Sequence, residues 1–199
     1  MAPITIDPTR TAVLSMDLQN GIVSIYARDD QELVTRAGAL QKQARAVHVP
    51  VIHVKVAFRP GLPEISARNP LFGAIKASKQ HQQFFEGDSG SIHPAVAPEP
   101  GEIVIGKSRV NPFAGTDLEM VLRANDIDTL VIFGIATSGV VLSCLLHASD
   151  ADYRLFVVKD CCTDADNDLH ICLIDKLFPR RSVVVSSEEM ITAMKETAS

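Results

Sequence analysis

The run Asp128–Ile135, DTLVIFGI, constrains the fold of this chain more than any other stretch. A strand with one face in water alternates apolar and polar residues, because successive side chains point to opposite faces. After Asp128 and Thr129 this run does not alternate, so both of its faces are buried, as in a parallel sheet covered by helices on both sides. Five more segments read as strands: TAVLSMDLQ (11–19), VPVIHVKVAF (49–58), EIVIGK (102–107), RLFVVKD (154–160) and SVVVSS (182–187). Helical patterns fall between them. QELVTRAGALQKQARAVH (31–48) places Leu33, Ala37, Leu40, Ala44 and Val47 on one face. GTDLEMVLRAND (115–126) opens with Thr116 as a cap and with Asp117 and Glu119 in its first turn. SGVVLSCLLHASDAD (138–152), DNDLHICLIDKLF (166–178) and SEEMITAMKE (187–196) complete the set.

Six strands alternating with helices predict one α/β domain over residues 1–199. Its architecture is a doubly wound, Rossmann-like three-layer sandwich around a six-stranded parallel sheet. Residues 59–100 are rich in Pro, Gly, Ser and Asn and too long for an ordinary connection, so they are expected to form a substrate-covering loop region. The formal net charge is -5, with Lys and Arg scattered among acids, which gives no nucleic-acid footprint. The opening MAPITIDPTR lacks a basic region followed by an apolar stretch. The apolar run TLVIFGIATSGVVLSCLLHA contains Thr, Ser, Gly and His and divides into a strand and a helix, so no membrane span is expected. These features predict a cytoplasmic protein, with Cys144, Cys161, Cys162 and Cys172 as reduced thiols. The adjacent pair 161–162 lacks the two-residue gap of a redox or zinc motif.

In an open parallel sheet, ligands bind beyond the carboxyl ends of the strands, where the strand order reverses. Asp17 and Gln19 end the first strand, Lys107 ends the third, and Gly134 to Ser138 follow the fourth. A carboxylate, an ammonium and a helix N-terminus can therefore converge on a small-molecule substrate.

Three ordered segments carry a resemblance: DLQNGI (17–22), GKSRVNPFAGTDL (106–118) and GIATSGVV (134–141), with GSIHPAVAPEPGEIVIGK (90–107) leading into the lysine. They resemble the isochorismatase-like hydrolases, or cysteine hydrolases, which include isochorismatases, nicotinamidases and N-carbamoylsarcosine amidohydrolases. The resemblance implies the six-stranded sheet and an acid–lysine–cysteine triad with Asp17 and Lys107 in its first two places. It also implies a non-proline cis peptide near Ile135-Ala136 and commonly a dimer or larger homo-oligomer; no cofactor is expected. The family's thiol stands three residues after the threonine, here Thr137, and that position is Val140. A valine cannot attack a carbonyl. Cys144, about one turn further along, reads better as a packing residue than as a replacement.

The isochorismatases proper keep the aspartate and lysine without requiring the cysteine. The resemblance therefore implies a cysteine-independent hydrolase of a small, carboxylate-bearing metabolite, cleaving a vinyl ether with Asp17 and Lys107. Two alternatives are an amidohydrolase using Cys144 or a bound water, and a metabolite-binding protein without turnover. Arg59, Arg68 and Asn69 lie in the expected lid, where an arginine suits a substrate carboxylate. Arg109 and Asn111 follow Lys107 closely and are expected to line the pocket, with Phe113 packing the loop. Gln19 and the segment Ile135, Ala136, Thr137, Ser138 and Gly139 are further candidates, the amides of Ser138 to Val140 as an anion hole. His53 is isolated, with Lys55 where a nicotinamidase-type ligand would be needed. His81, His93, His147 and His170 lack partners at ligand spacing, so no metal is expected. Asp160, Asp164, Asp166 and Asp168 lack the spacing and glycine of a calcium loop and read as helix-capping residues.

Overall fold

The computed structural model describes residues 4–28, 30 and 32–197. Six strands form one parallel sheet: β1 (Thr11–Met16), β2 (Val51–Val56), β3 (Ile103–Lys107), β4 (Thr129–Ile135), β5 (Arg154–Thr163) and β6 (Val183–Val185). Their order is β3-β2-β1-β4-β5-β6. The winding reverses between β1 and β4, which lie side by side in register from Thr11↔Thr129 to Met16↔Gly134. Every residue of β1 and β4 is buried, as the unbroken apolar runs require.

The helices are α1 (Asn20–Tyr26), α2 (Leu33–Ala46), α3 (Pro70–Ala77), α4 (Lys79–Gln83), α5 (Leu118–Ala124), α6 (Leu142–Asp150), α7 (Asn167–Cys172) and α8 (Ser187–Thr197). α2 presents Leu33, Ala37, Leu40 and Ala44 to the core, as their spacing predicts; Gln31, at the head of the expected segment, lies outside the described residues, as do Met1 to Pro3. α5 starts at Leu118, later than expected. The Thr116 hydroxyl donates to the Pro112 carbonyl and accepts from the Leu118 amide, so it closes the preceding loop. The expected loop region 59–100 contains two helices. The Asn69 side chain caps α3 by accepting from the Phe72 amide, and Pro70 takes the first position, where its missing N–H has no consequence. Among the described residues no helix is long and apolar enough to cross a membrane.

A charged cluster ties α2 to the start of β3. Glu102 accepts from the Arg45 guanidinium through both oxygens at 2.8 Å and from the Glu99 amide at 2.8 Å. Its Oε2 also lies 2.9 Å from Nε2 of His53, a fully buried histidine on β2. Burial opposes the Glu102 charge, but these partners outweigh it and hold the carboxyl at about 2. Burial also pushes His53 below its ordinary value, against the pull of Glu102.

Both shifts act in one direction on stability. Each favours the deprotonated form in the folded chain, so its contribution is full above the ordinary value and fades on acidification. For Glu102 the window runs from about 4.5 down to about 2. Glu102→Gln is expected to destabilise the fold at pH 7 by ~1–3 kcal/mol and to flatten the acid limb of a urea-midpoint-against-pH curve. An unchanged acid limb would contradict this.

Candidate active site

The ends of β1 and β3 bring Asp17 and Lys107 together. Asp17 follows β1 with φ 57°, a left-handed conformation that aspartate tolerates better than most residues, and its amide donates to the Val54 carbonyl of β2. The ammonium of Lys107 lies 2.7 Å from Asp17 Oδ2 and donates to the Arg109 carbonyl at 3.1 Å. Both side chains are buried, with relative exposures of 6% and 2%. Burial pushes the Asp17 carboxyl above its ordinary value, although Lys107 pulls the other way through its charge and its hydrogen bond. Asp17 Oδ1 is buried and has no hydrogen-bond partner among the described residues.

The two side chains line an open cavity of about 170 Å³ together with apolar residues of α3 such as Phe72 and Ile75, with Val110, and with Ile135, Ala136, Gly139 and Val140. The peptide Ile135-Ala136 is cis. Before it stands Gly134, at φ 147°, where a Cβ would lie 2.0 Å from the Met16 carbonyl oxygen. Only glycine lets β4 approach the end of β1 so closely, and that approach sets the cavity floor beside Asp17.

Other expected residues lie elsewhere. Gln19 is fully buried, and its amide holds backbone, donating to Val56 and Gly90 carbonyls and accepting from the Val56 amide. Arg59 is exposed and lines a neighbouring cleft of about 570 Å³ with Glu64, Ser108 and Arg109. The Arg109 guanidinium donates to the Ser108 and Glu64 carbonyls. Asn111 caps its own loop through the Phe113 amide and reaches His147, whose ring stacks on Phe113 at 4.2 Å. None of these four lines the cavity that holds Asp17 and Lys107.

Two of the three amides expected to form an anion hole are engaged within the chain. The Ser138 amide donates to the Asp164 carboxylate at 2.7 Å, and the Gly139 amide to the Ala136 carbonyl at 3.0 Å. Thr137 is fully buried, with its hydroxyl 2.8 Å from Nδ1 of His170. Asp164 and His170 lie in the segment after β5, and no spacing signal in the sequence links them to Thr137 and Ser138. Two of the other acids read as capping residues do so: Asp166 accepts from the Leu169 amide of α7, and Asp160, within β5, accepts from the amide and hydroxyl of Ser187 at the start of α8. Among the described residues no group of three or more His, Cys, Asp or Glu is placed to hold a metal ion.

Cys144 is fully buried in α6, and burial pushes its thiol up to about 12 in spite of the Lys107 charge. Burial likewise raises Cys162 to about 12 and Cys161 well above its ordinary value. Since the thiolate is the reacting form, these three are expected to resist alkylation in the folded chain. Cys172 is exposed. Iodoacetamide at neutral pH followed by peptide mass spectrometry is expected to label Cys172 and spare the other three until denaturant is added. Rapid native labelling of Cys144 would contradict this.

Comparison with known proteins places these residues in context. The family described as Isochorismatase domain matches residues 11–189. The isochorismatase family protein YecD of Escherichia coli is 32% identical over 187 residues, 92% of this chain and 96% of that protein. The maleamate amidohydrolase of Pseudomonas putida is 25% identical, over 95% of this chain and 89% of its own. Among solved structures, an isochorismatase family protein from Burkholderia thailandensis superposes with a TM-score of 0.83 at 26% identity, covering 98% of this chain and all of that one.

Proposed function

The chain belongs to the isochorismatase family, and from that premise we propose that it hydrolyses a vinyl ether with Asp17 and Lys107 and with no cysteine nucleophile. The observation that carries this reading is the buried Asp17–Lys107 pair, which lines a cavity together with Val140 and, among the described residues, with no cysteine. Burial favours the protonated carboxyl, as an acid catalyst requires.

The reaction balances with these groups and water. Asp17 gives its proton to the terminal vinyl carbon and leaves an oxocarbenium ion. Lys107 stabilises the carboxylate that remains and holds its orientation. Water adds to the cationic carbon and returns a proton to Asp17. The resulting hemiacetal or hemiketal then breaks its C–O bond to give a carbonyl compound and an alcohol. An amide-cleaving route through Cys144 is disfavoured by the burial of that thiol and its value near 12.

Ethyl vinyl ether and isochorismate test the reaction, with acetaldehyde or pyruvate followed by a coupled reductase. Turnover is expected to be present at low pH and to be lost as pH rises through the elevated Asp17 value, since the acid must carry its proton. Lys107 is the group that pulls this value down. Lys107→Met is therefore expected to move the falling limb to higher pH while lowering kcat ~10²-fold. If neither compound is turned over, or if the limb moves to lower pH, the reading fails.

A further inference from the structure

We propose that Asp164 and His170, in the segment after β5, are positioning residues that hold the cavity floor in place beside Asp17. The inference rests on the reading of this cavity as the reaction site and adds the residues that keep its floor in register.

The floor is a turn with few bonds of its own. Ile135 ends β4, and Ala136, Gly139 and Val140 line the cavity after it. Gly139 has φ -97° and ψ -105°, so the chain does not enter the next helix in regular helical geometry. The Ala136 carbonyl accepts from the Gly139 and Val141 amides. Thr137 and Ser138, the two residues between Ala136 and Gly139, bond instead to side chains that do not line the cavity.

Strand register explains which side chains they meet. β4 and β5 run side by side, with Gly134↔Cys162 and Ile135↔Thr163 as their last pairs. The chain therefore leaves both strands at one level, and Asp164 emerges next to the turn. Its Oδ2 accepts from the Ser138 amide at 2.7 Å and its Oδ1 from the Asp166 amide at 3.4 Å. Asp166 in turn caps α7 through the Leu169 amide, and α7 carries His170. Nδ1 of His170 lies 2.8 Å from the hydroxyl of the fully buried Thr137. One short segment thus grips two consecutive residues of the floor, one of them through a charge-assisted bond, the stronger kind. A floor displaced by about 1 Å is enough to cost ~10²-fold in a reaction between aligned groups.

Thr137→Val, His170→Phe and Asp164→Ala each remove one grip. In each folded variant, kcat for the vinyl ether that the parent turns over is expected to fall ~10-fold or more. KM is expected to stay within about threefold, because the apolar wall from α3 still meets the bound molecule. Thr137→Ser, which keeps the hydroxyl, His170→Asn, which keeps a polar atom near Nδ1, and Asp164→Asn, which keeps an acceptor, are each expected to retain about a third or more of the parental kcat. The double variant Thr137→Val/His170→Phe is expected to be no slower than the slower single variant, since both remove the same contact. Hydrogen exchange of residues 136–141, followed by mass spectrometry, needs no turnover. It is expected to quicken ~10-fold or more in the three disruptive variants while residues 129–133 of β4 stay protected. Unchanged exchange in 136–141, multiplied losses in the double variant, or parental kcat in folded variants whose exchange has quickened overturns the inference. If the parent turns over no vinyl ether, faster exchange confined to 136–141 leaves the clamp standing and removes the catalytic reading; parental turnover with unchanged exchange does the reverse.

Discussion

Asp17→Asn is expected to lower kcat for vinyl ether hydrolysis by ~10³-fold, within the range of a positioned general acid. The substitution is nearly isosteric, and an asparagine oxygen can still accept from Lys107. It removes the proton to be given and the site to which water returns one. Above the elevated Asp17 value, where the parent carboxyl is ionised, it also leaves the buried Lys107 ammonium without a counter-charge. Removing one partner of such a pair destabilises a fold by ~3–5 kcal/mol, so the variant is also expected to unfold earlier in urea. The double variant Asp17→Asn/Lys107→Met separates the two effects. It is expected to regain most of the stability, since no buried charge remains, and none of the activity. Recovery of activity along with stability would assign Asp17 a structural role only.

Gly134→Ala is expected to be the most destabilising single-methyl change at this site. The added carbon would meet the Met16 carbonyl oxygen at 2.0 Å and its carbon at 2.8 Å. Both are backbone atoms in the centre of the sheet and cannot turn aside as a side chain could. The residue would also have to keep φ 147°, which L side chains rarely adopt. A loss of ~4 kcal/mol or more is expected, or a fall of roughly 10 °C in Tm for a chain of this size. Gly101→Ala provides the comparison. It carries the strain of φ 94° with nothing within 4 Å of its Cβ, so it is expected to lose only ~1 kcal/mol. Equal losses at the two positions would show that the approach of β4 to Met16 is not the constraint.

The sheet was legible in the sequence because unbroken apolar runs leave few alternatives to a parallel sheet buried on both faces. The rule that ligands sit beyond the carboxyl ends of parallel strands put Asp17, Lys107 and the segment after β4 forward as candidates, and the family resemblance singled out Asp17 and Lys107 among them. The lid helices were harder to see. α3 and α4 are short and sit among prolines and glycines, although the Asn69-Pro70 start signal was present. Side-chain direction in loops was not legible at all. Arg59 and Arg109 stand in sequence where a pocket was expected, yet Arg109 turns to the carbonyl of the adjacent Ser108 and to that of Glu64, 45 residues away along the chain. The capping of Ser138 by Asp164 spans 26 residues, and no local pattern announces it. Cavity residues such as Phe72 and Ile75 look, in a sequence, the same as any core residue.

The central claim is that a carboxyl oxygen, and no sulfur, carries the reaction. Its most direct test is kcat/KM for ethyl vinyl ether with Cys144→Ala and Asp17→Asn measured side by side, each confirmed as folded. Cys144→Ala is expected to stay within about twofold of the parent, because a buried thiol held near 12 takes no part, while Asp17→Asn falls ~10³-fold. Loss of turnover in Cys144→Ala with Asp17→Asn left active would contradict the claim.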